Sequence, residues 1–165
     1  MSDSPTTAST LTRVPIIDGW FSDDERAPHL IGSKCPLCGT YVFPPRNGDC
    51  PSPFCASTTL DPTPLSRRGK VWSYTENQYA PPKPFRAPDP FEPYALAAVE
   101  LDAEGLVILG QVAKGVLAAD LKVGMDMQVE IGTLYSDTDE DGNVVDHLVY
   151  MWAPATPAKA EANPS

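Results

Sequence analysis

Four cysteines, Cys35, Cys38, Cys50 and Cys55, fall within 21 consecutive residues of a 165-residue chain, and there are no others. Cys35-Pro36-Leu37-Cys38-Gly39 has the form of a zinc knuckle: two sulfurs three positions apart reach one ion while backbone N–H groups point at them, and Gly39 permits the unusual backbone angles of the turn. Cys50-Pro51-Ser52-Pro53-Phe54-Cys55 is a looser second half, with four residues between its cysteines where paired knuckles have two. The segment between Cys38 and Cys50 suits a short hairpin carrying Tyr41, Val42 and Phe43. Two disulfides are the competing use of four cysteines. Their clustering, and an N-terminus without an apolar signal-like core, favour metal in a reducing compartment. One structural Zn²⁺ is the leading reading, with an iron centre or a redox dithiol as the other options. Four thiolates leave no open coordination position, so the metal is read as structural.

The remaining chain is read around that fixed point. Residues 1–13 and 153–165 have the composition of disordered tails. Over residues 14–34 an apolar cluster ending in Trp20-Phe21 precedes Ser22-Asp23-Asp24-Glu25, which fits the capping box of a short helix limited by Pro28. Trp20 and Phe21 need burial, either in the chain's own core or on a partner. The ribbon spans 35–62. Beyond it, over 63–152, period-two alternation predicts five strands at 69–79, 94–101, 106–112, 127–135 and 144–152. One helical turn fits between Gly115 and Gly124. Five short strands without a strong helix predict a small closed barrel, and the OB-fold is the five-stranded barrel of this order. The fold class is mainly β: an N-terminal helical segment, a zinc ribbon and an OB barrel.

Charge and motif content narrow the function. A formal net charge of −10, nearer about −12 with four thiolates around one Zn²⁺, opposes non-specific nucleic-acid binding. An OB module binding single strands through Trp72, Tyr74 and Tyr79 is the alternative that this charge disfavours. No run reaches the roughly 18 apolar residues of a membrane helix, and a soluble cytoplasmic protein is expected. No phosphate loop, GxSxG elbow or HExxH helix is present. His29 and His147 read as packing or surface residues, and the acidic run 137–141 as a solvated hairpin tip rather than a calcium loop. Catalytic residues are not expected. Two features invite contacts. Arg67-Arg68-Gly69-Lys70 is the densest basic spot, fit for phosphate or partner. Residues 80–93 form a long proline-rich loop carrying Lys83, Phe85, Arg86 and Phe91, a stiffened docking element.

Cys-Pro-x-Cys-Gly, then Phe43-Pro44-Pro45-Arg46, Gly69-Lys70-Val71, the strand from Pro93 to Leu101 and Leu121-Lys122-Val123-Gly124-Met125 follow one another in an order that resembles the domain-of-unknown-function-35 family. The resemblance covers about residues 16–152 and implies a rubredoxin-like zinc ribbon joined to an OB-fold. It further implies an accessory subunit of acyl-CoA enzymes, paired with a thiolase-superfamily chain that carries the catalytic residues. Foremost among such partners are the lipid-transfer-protein-type aldolases that cleave a β-hydroxyacyl-CoA steroid side chain. Acetoacetyl-CoA thiolase, hydroxymethylglutaryl-CoA synthase and MaoC-like hydratase complexes are the others. A heterotetramer and a CoA site shared with the partner are the corresponding expectations, with Arg67, Arg68, Lys83, Phe85, Arg86 and Phe91 as the candidate CoA or partner contacts.

Overall fold

A computed structural model describes residues 10–22, 24 and 26–155. Among these described residues, nine strands form two sheets. The first strands are β1 (Thr12–Pro15), β2 (Ile31–Lys34), β3 (Tyr41–Val42) and β4 (Asp61–Pro64). They are followed by β5 (Arg68–Asn77), β6 (Tyr94–Leu101), β7 (Val107–Val112), β8 (Asp126–Thr138) and β9 (Val144–Pro154). Strands β5 to β9 close on themselves. β6 pairs antiparallel with β5 and β7, β7 runs parallel to β9, β9 pairs antiparallel with β8, and β8 returns to β5 through Arg68–Gln128, Gly69–Met127 and Lys70–Asp126. The order β5-β6-β7-β9-β8-β5 is the five-strand OB closure expected from the sequence, and it leaves no open edge within the barrel.

The alternation that predicts these strands also fills them. Along β6, Ala95, Ala97, Val99 and Leu101 are all buried, and they meet Val71, Ile108, Val112, Met127, Val129 and Trp152 inside the barrel. Trp152 is wholly enclosed, and its indole N–H donates to the Ile108 carbonyl at 3.2 Å, which satisfies the one polar group of a large apolar side chain. Its neighbour on β7 is Gly110, where a Cβ would stand 2.8 Å from Tyr150 Cε2 and 3.0 Å from Trp152 Cδ1. Any side chain there would collide with two rings. Register shifts at Trp72 in β5 and Leu134 in β8 supply the bends that long strands need to wrap a small barrel. Between β7 and β8 a 3-10 turn, Ala118–Asp120, delivers Leu121 into the core, where the single helical turn was expected.

The N-terminal segment departs from expectation. The 3-10 turn is the one helix among the described residues. The capping-box reading of residues 22–25 rests in part on Asp23 and Glu25, which lie outside the described residues. Ser22, however, is described, and its hydroxyl accepts the N–H of His29 at 3.2 Å while its own N–H donates to the His29 carbonyl at 2.9 Å. Phe21 bridges Leu30 antiparallel. Around these residues the described backbone pairs across the segment where local propensity favours a helix, and the pairing buries both Phe21 and Leu30 in the barrel core. Ahead of it β1 lies parallel to β9, from Thr12–Val145 to Pro15–Leu148, so ordered structure begins inside the stretch read as tail. β9 likewise continues to Pro154.

Trp20 and Phe21 find their burial within the chain. Trp20 packs edge-on to Phe43 at 5.4 Å, Phe43 to Tyr150 at 6.0 Å and Tyr150 to Phe21 at 6.5 Å. This aromatic chain joins the N-terminal segment, the ribbon and β9. Leu30 and Leu65 add to the same cluster.

Candidate metal centre and contact surfaces

The ribbon is a three-stranded sheet with β2 between β3 and β4. Pairing of Ser33 with Val42 and Lys34 with Tyr41 makes β2 and β3 the two arms on either side of the first knuckle. The Cys35 N–H donates to Thr40 O at 2.9 Å and the Gly39 N–H to Cys35 O at 3.0 Å, with Gly39 at φ +76°. The second half is shaped by Cys50 N–H to Ser57 O at 2.9 Å and Cys55 N–H to Ser52 O at 3.1 Å. Buried Ser33 both donates to and accepts from the Arg46 backbone at 2.9 Å, which pins the intervening loop to β2.

All four sulfurs lie within 4.8 Å of one another, with Cys35–Cys55 at 3.7 Å and Cys38–Cys50 at 3.5 Å. A tetrahedral ion with Zn–S bonds of about 2.3 Å requires sulfurs about 3.8 Å apart. The residues present therefore fit a four-thiolate zinc, and the wider spacing of the second half does not prevent it. The Cys38 backbone N–H, opposed by burial and reinforced by the Leu37 N–H, brings the Cys35 thiol down to about 6. Thr40 lowers Cys38. Cys50 takes the Ser52 N–H, yet burial and the neighbouring sulfurs push it up to about 12. Two thiols are eased into the thiolate form and the crowding holds others back, the condition a cation among them relieves.

The six candidate contact residues do not converge. Arg67 Nε donates to Pro28 O at 2.9 Å, and its guanidinium lines a cleft with Arg13, Arg26, Gln128 and Glu130. Arg68 opens β5, exposed. Lys70, in the same basic run, bonds Asp126 at 2.7 Å across the β5–β8 seam, and that bond, with the attraction behind it, raises Lys70 and lowers Asp126. Lys83, Phe85, Arg86 and Phe91 belong to the loop beyond the other end of β5, a strand length of about 30 Å away. There Phe85 stacks on Tyr94 at 5.8 Å, and Phe91 meets the same ring edge-on at 6.2 Å. Arg86 reaches Asp137 at 3.4 Å and covers the Tyr135 ring at 4.9 Å, while Lys83 stays exposed. Tyr135 in turn stacks on His147 at 4.3 Å, and His147 bonds Asp137 at 3.0 Å. The loop, Gln111 to Leu117 and Leu134 to Ser136 enclose a cleft of about 560 Å³.

Beyond Arg67 in one cleft and Phe85 and Arg86 in the other, the walls of the two clefts are not legible in the sequence. Arg13 and Arg26 come from a segment whose placement depends on β9 and on the Phe21–Leu30 bridge, and Leu134 to Ser136 from the far end of β8. No local pattern announces such meetings. Trp72, Tyr74 and Tyr79 are exposed along and just beyond β5.

Among known proteins, a model described as the ChsH2 rubredoxin-like zinc ribbon domain matches residues 22–61, and one described as the ChsH2 C-terminal OB-fold domain matches residues 62–135. The chain is 43% identical over 54 residues to the benzoylsuccinyl-CoA thiolase subunit BbsA of Thauera aromatica, a match spanning 33% of this chain and 35% of that protein. It is 35% identical over 112 residues to a DUF35 domain-containing scaffold protein of Methanocaldococcus jannaschii, covering 67% of this chain and 73% of the relative. A solved Ltp2-ChsH2(DUF35) aldolase shares the fold, with a TM-score of 0.55 and 24% identity over 78% of this chain and 86% of that one. With ribbon and barrel both matched in order, and a relative aligned over most of its length, the chain belongs to the DUF35 family of zinc-ribbon and OB-fold proteins.

Proposed function

We propose that this chain is a non-catalytic accessory subunit of a thiolase-superfamily acyl-CoA enzyme, and that its four cysteines hold one structural zinc ion. The observation that carries the reading is the 35% identity to a scaffold protein over 112 residues, joined to 43% identity over 54 residues to a thiolase subunit. The chain's own chemistry is consistent with a supporting role. Its thiols face one another, His29 is tied to the Ala27 carbonyl, and His147 is held between Asp137 and the Tyr135 ring. When bound, zinc supplies a fixed cross-link between the two knuckles, and Cys35, Cys38, Cys50 and Cys55 are the residues that hold it.

Within that class the partner is a retro-aldolase that cleaves a β-hydroxyacyl-CoA, with a steroid side chain as its substrate. Two family models described for ChsH2, and a fold shared with the Ltp2-ChsH2(DUF35) aldolase, support this choice over other acyl-CoA enzymes. The two chains form a heterotetramer, with the proline-rich loop and the cleft beneath it turned towards the shared acyl-CoA site. The cleft is lined mainly by apolar atoms from Phe85, Pro93, Val112 and Leu117, with Arg86 and Lys114 at hand for an anionic group. A thiolase proper is the second reading, favoured by the BbsA match.

Affinity purification of the tagged chain from its native cell, followed by mass spectrometry, tests the proposal. Recovery of a thiolase-like chain is expected, with acyl-CoA turnover by the pair and none by the isolated subunit. Turnover by this chain alone, or recovery without any acyl-CoA enzyme, overturns it. Carbon–carbon cleavage of hydroxyacyl-CoA against thiolysis of ketoacyl-CoA separates the two readings.

A further inference from the structure

Phe54 is 98% exposed and Leu37 is 73% exposed, in a chain that encloses its other phenylalanines wholly or in part. Each directly precedes a cysteine of the sulfur cluster, Leu37 before Cys38 and Phe54 before Cys55. Because the four sulfurs converge within 4.8 Å, the two knuckles that carry these side chains are held side by side. Their backbones are set by Gly39 N–H to Cys35 O and Cys55 N–H to Ser52 O, and Pro36, Pro51 and Pro53 remove further freedom. Exposed large apolar groups on a pre-organised support are a poor use of sequence for stability and a good one for recognition.

We propose that Leu37 and Phe54 form a two-pronged apolar plug that seats in a concave apolar pocket of a partner protein. The identification of that partner as the catalytic thiolase-like chain rests on the function proposed above. Both side chains stand almost free of the fold and neither lines a cleft, so the occupant must supply the hollow. A lipid surface is disfavoured, since the chain carries a net charge of −10 and Asp49 adjoins the second knuckle, with Lys34 the cation whose stem passes Gly39. A second copy would have to offer a different surface, such as the cleft under the proline-rich loop. That contact is head-to-tail and propagates into a ring or filament rather than a closed pair. A heterologous subunit has neither restriction.

The test uses the full chain with the thiolase-like chain it recovers, comparing wild type with Phe54→Ser, Leu37→Ser and the double variant. Zinc content and melting temperature of the isolated variants should match wild type, because neither side chain packs on the fold. Partner affinity should fall at least about tenfold for Phe54→Ser and further for the double variant. A double variant that binds the thiolase-like chain as wild type does overturns the docking proposal and leaves the functional reading standing. Failure of wild type to recover any thiolase-like chain overturns both. Phe54-dependent self-association on gel filtration, or Phe54-dependent sedimentation with phosphatidylcholine and phosphatidylglycerol vesicles, assigns the plug to another occupant and also overturns it.

Discussion

Cys50 is nearly enclosed, with sulfur neighbours and the Ser57 carbonyl around it, so replacing it leaves little room for compensation. With Cys50→Ser the zinc should be lost altogether. Structural zinc contributes an apparent binding free energy of about 10–16 kcal/mol in small zinc domains, comparable with or greater than the roughly 5–15 kcal/mol that holds a whole domain folded. Metal analysis should then give no bound zinc. Trp20, in edge contact with Phe43 of the ribbon, should lose its native fluorescence as the ribbon opens. Chelation of the wild type should reproduce both changes. Retention of native Trp20 emission after complete zinc removal would show that the sheet of β2, β3 and β4 holds without its metal.

At the scale of the element, the loop over residues 80–93 is fastened in two ways. Phe85 and Phe91 rest on Tyr94, and Arg86 lies over Tyr135 and against Asp137. The Arg86 pair is exposed, and such pairs contribute at most about 1 kcal/mol. Arg86→Ala should therefore leave the melting temperature almost unchanged while limited proteolysis cuts the loop several times faster. Equal cleavage rates would place the fastening in the aromatic contacts alone. What the sequence makes legible at this scale follows the range of the forces involved. The barrel strands can be read because Ala95, Ala97, Val99 and Leu101 alternate with outward residues, and the knuckles because Cys35 and Cys38 are local to one turn. β1 cannot be read: Thr12-Arg13-Val14-Pro15 has no alternation to display and exists as a strand only because β9 lies beside it. Ser22 carries a helix-capping signal, but its hydroxyl is taken by His29. For the same reason the basic run at Arg67 is visible in sequence, whereas its companions Arg13 and Arg26 are not.

For the molecule as a whole, acid should act partly through the seam that closes the barrel. The Lys70 hydrogen bond holds Asp126 below its ordinary value, and the Asn143 and Asp141 N–H groups, with the Asn143 side chain, do the same for Asp139 in the β8–β9 turn. A carboxylate depressed by folding stabilises the native state above its unfolded value of about 3.9, and that contribution disappears as pH falls through the lower folded value. Lys70, raised by the same partner, loses its contribution only in strong alkali. Melting temperature should thus decline as pH drops from about 5 towards 2. Asp126→Asn should show a shallower decline, and added salt should narrow the difference between the two, since both side chains are exposed. Parallel curves for the two proteins would mean the seam gains nothing from the pair.

The pairing of β1 with β9 joins the first described strand to the last. A ribosome adding about 5–20 residues per second delivers β9 roughly 7–28 seconds after β1. During that interval Thr12 to Pro15 have no strand to lie against, and β7 and β8 lack the neighbour that completes their sheet. The ribbon, whose strands and ligands are all encoded before Leu65, has no such dependence on late arrivals for its own pairing. The sulfur cluster can therefore be complete on the nascent chain before the barrel has its last strand.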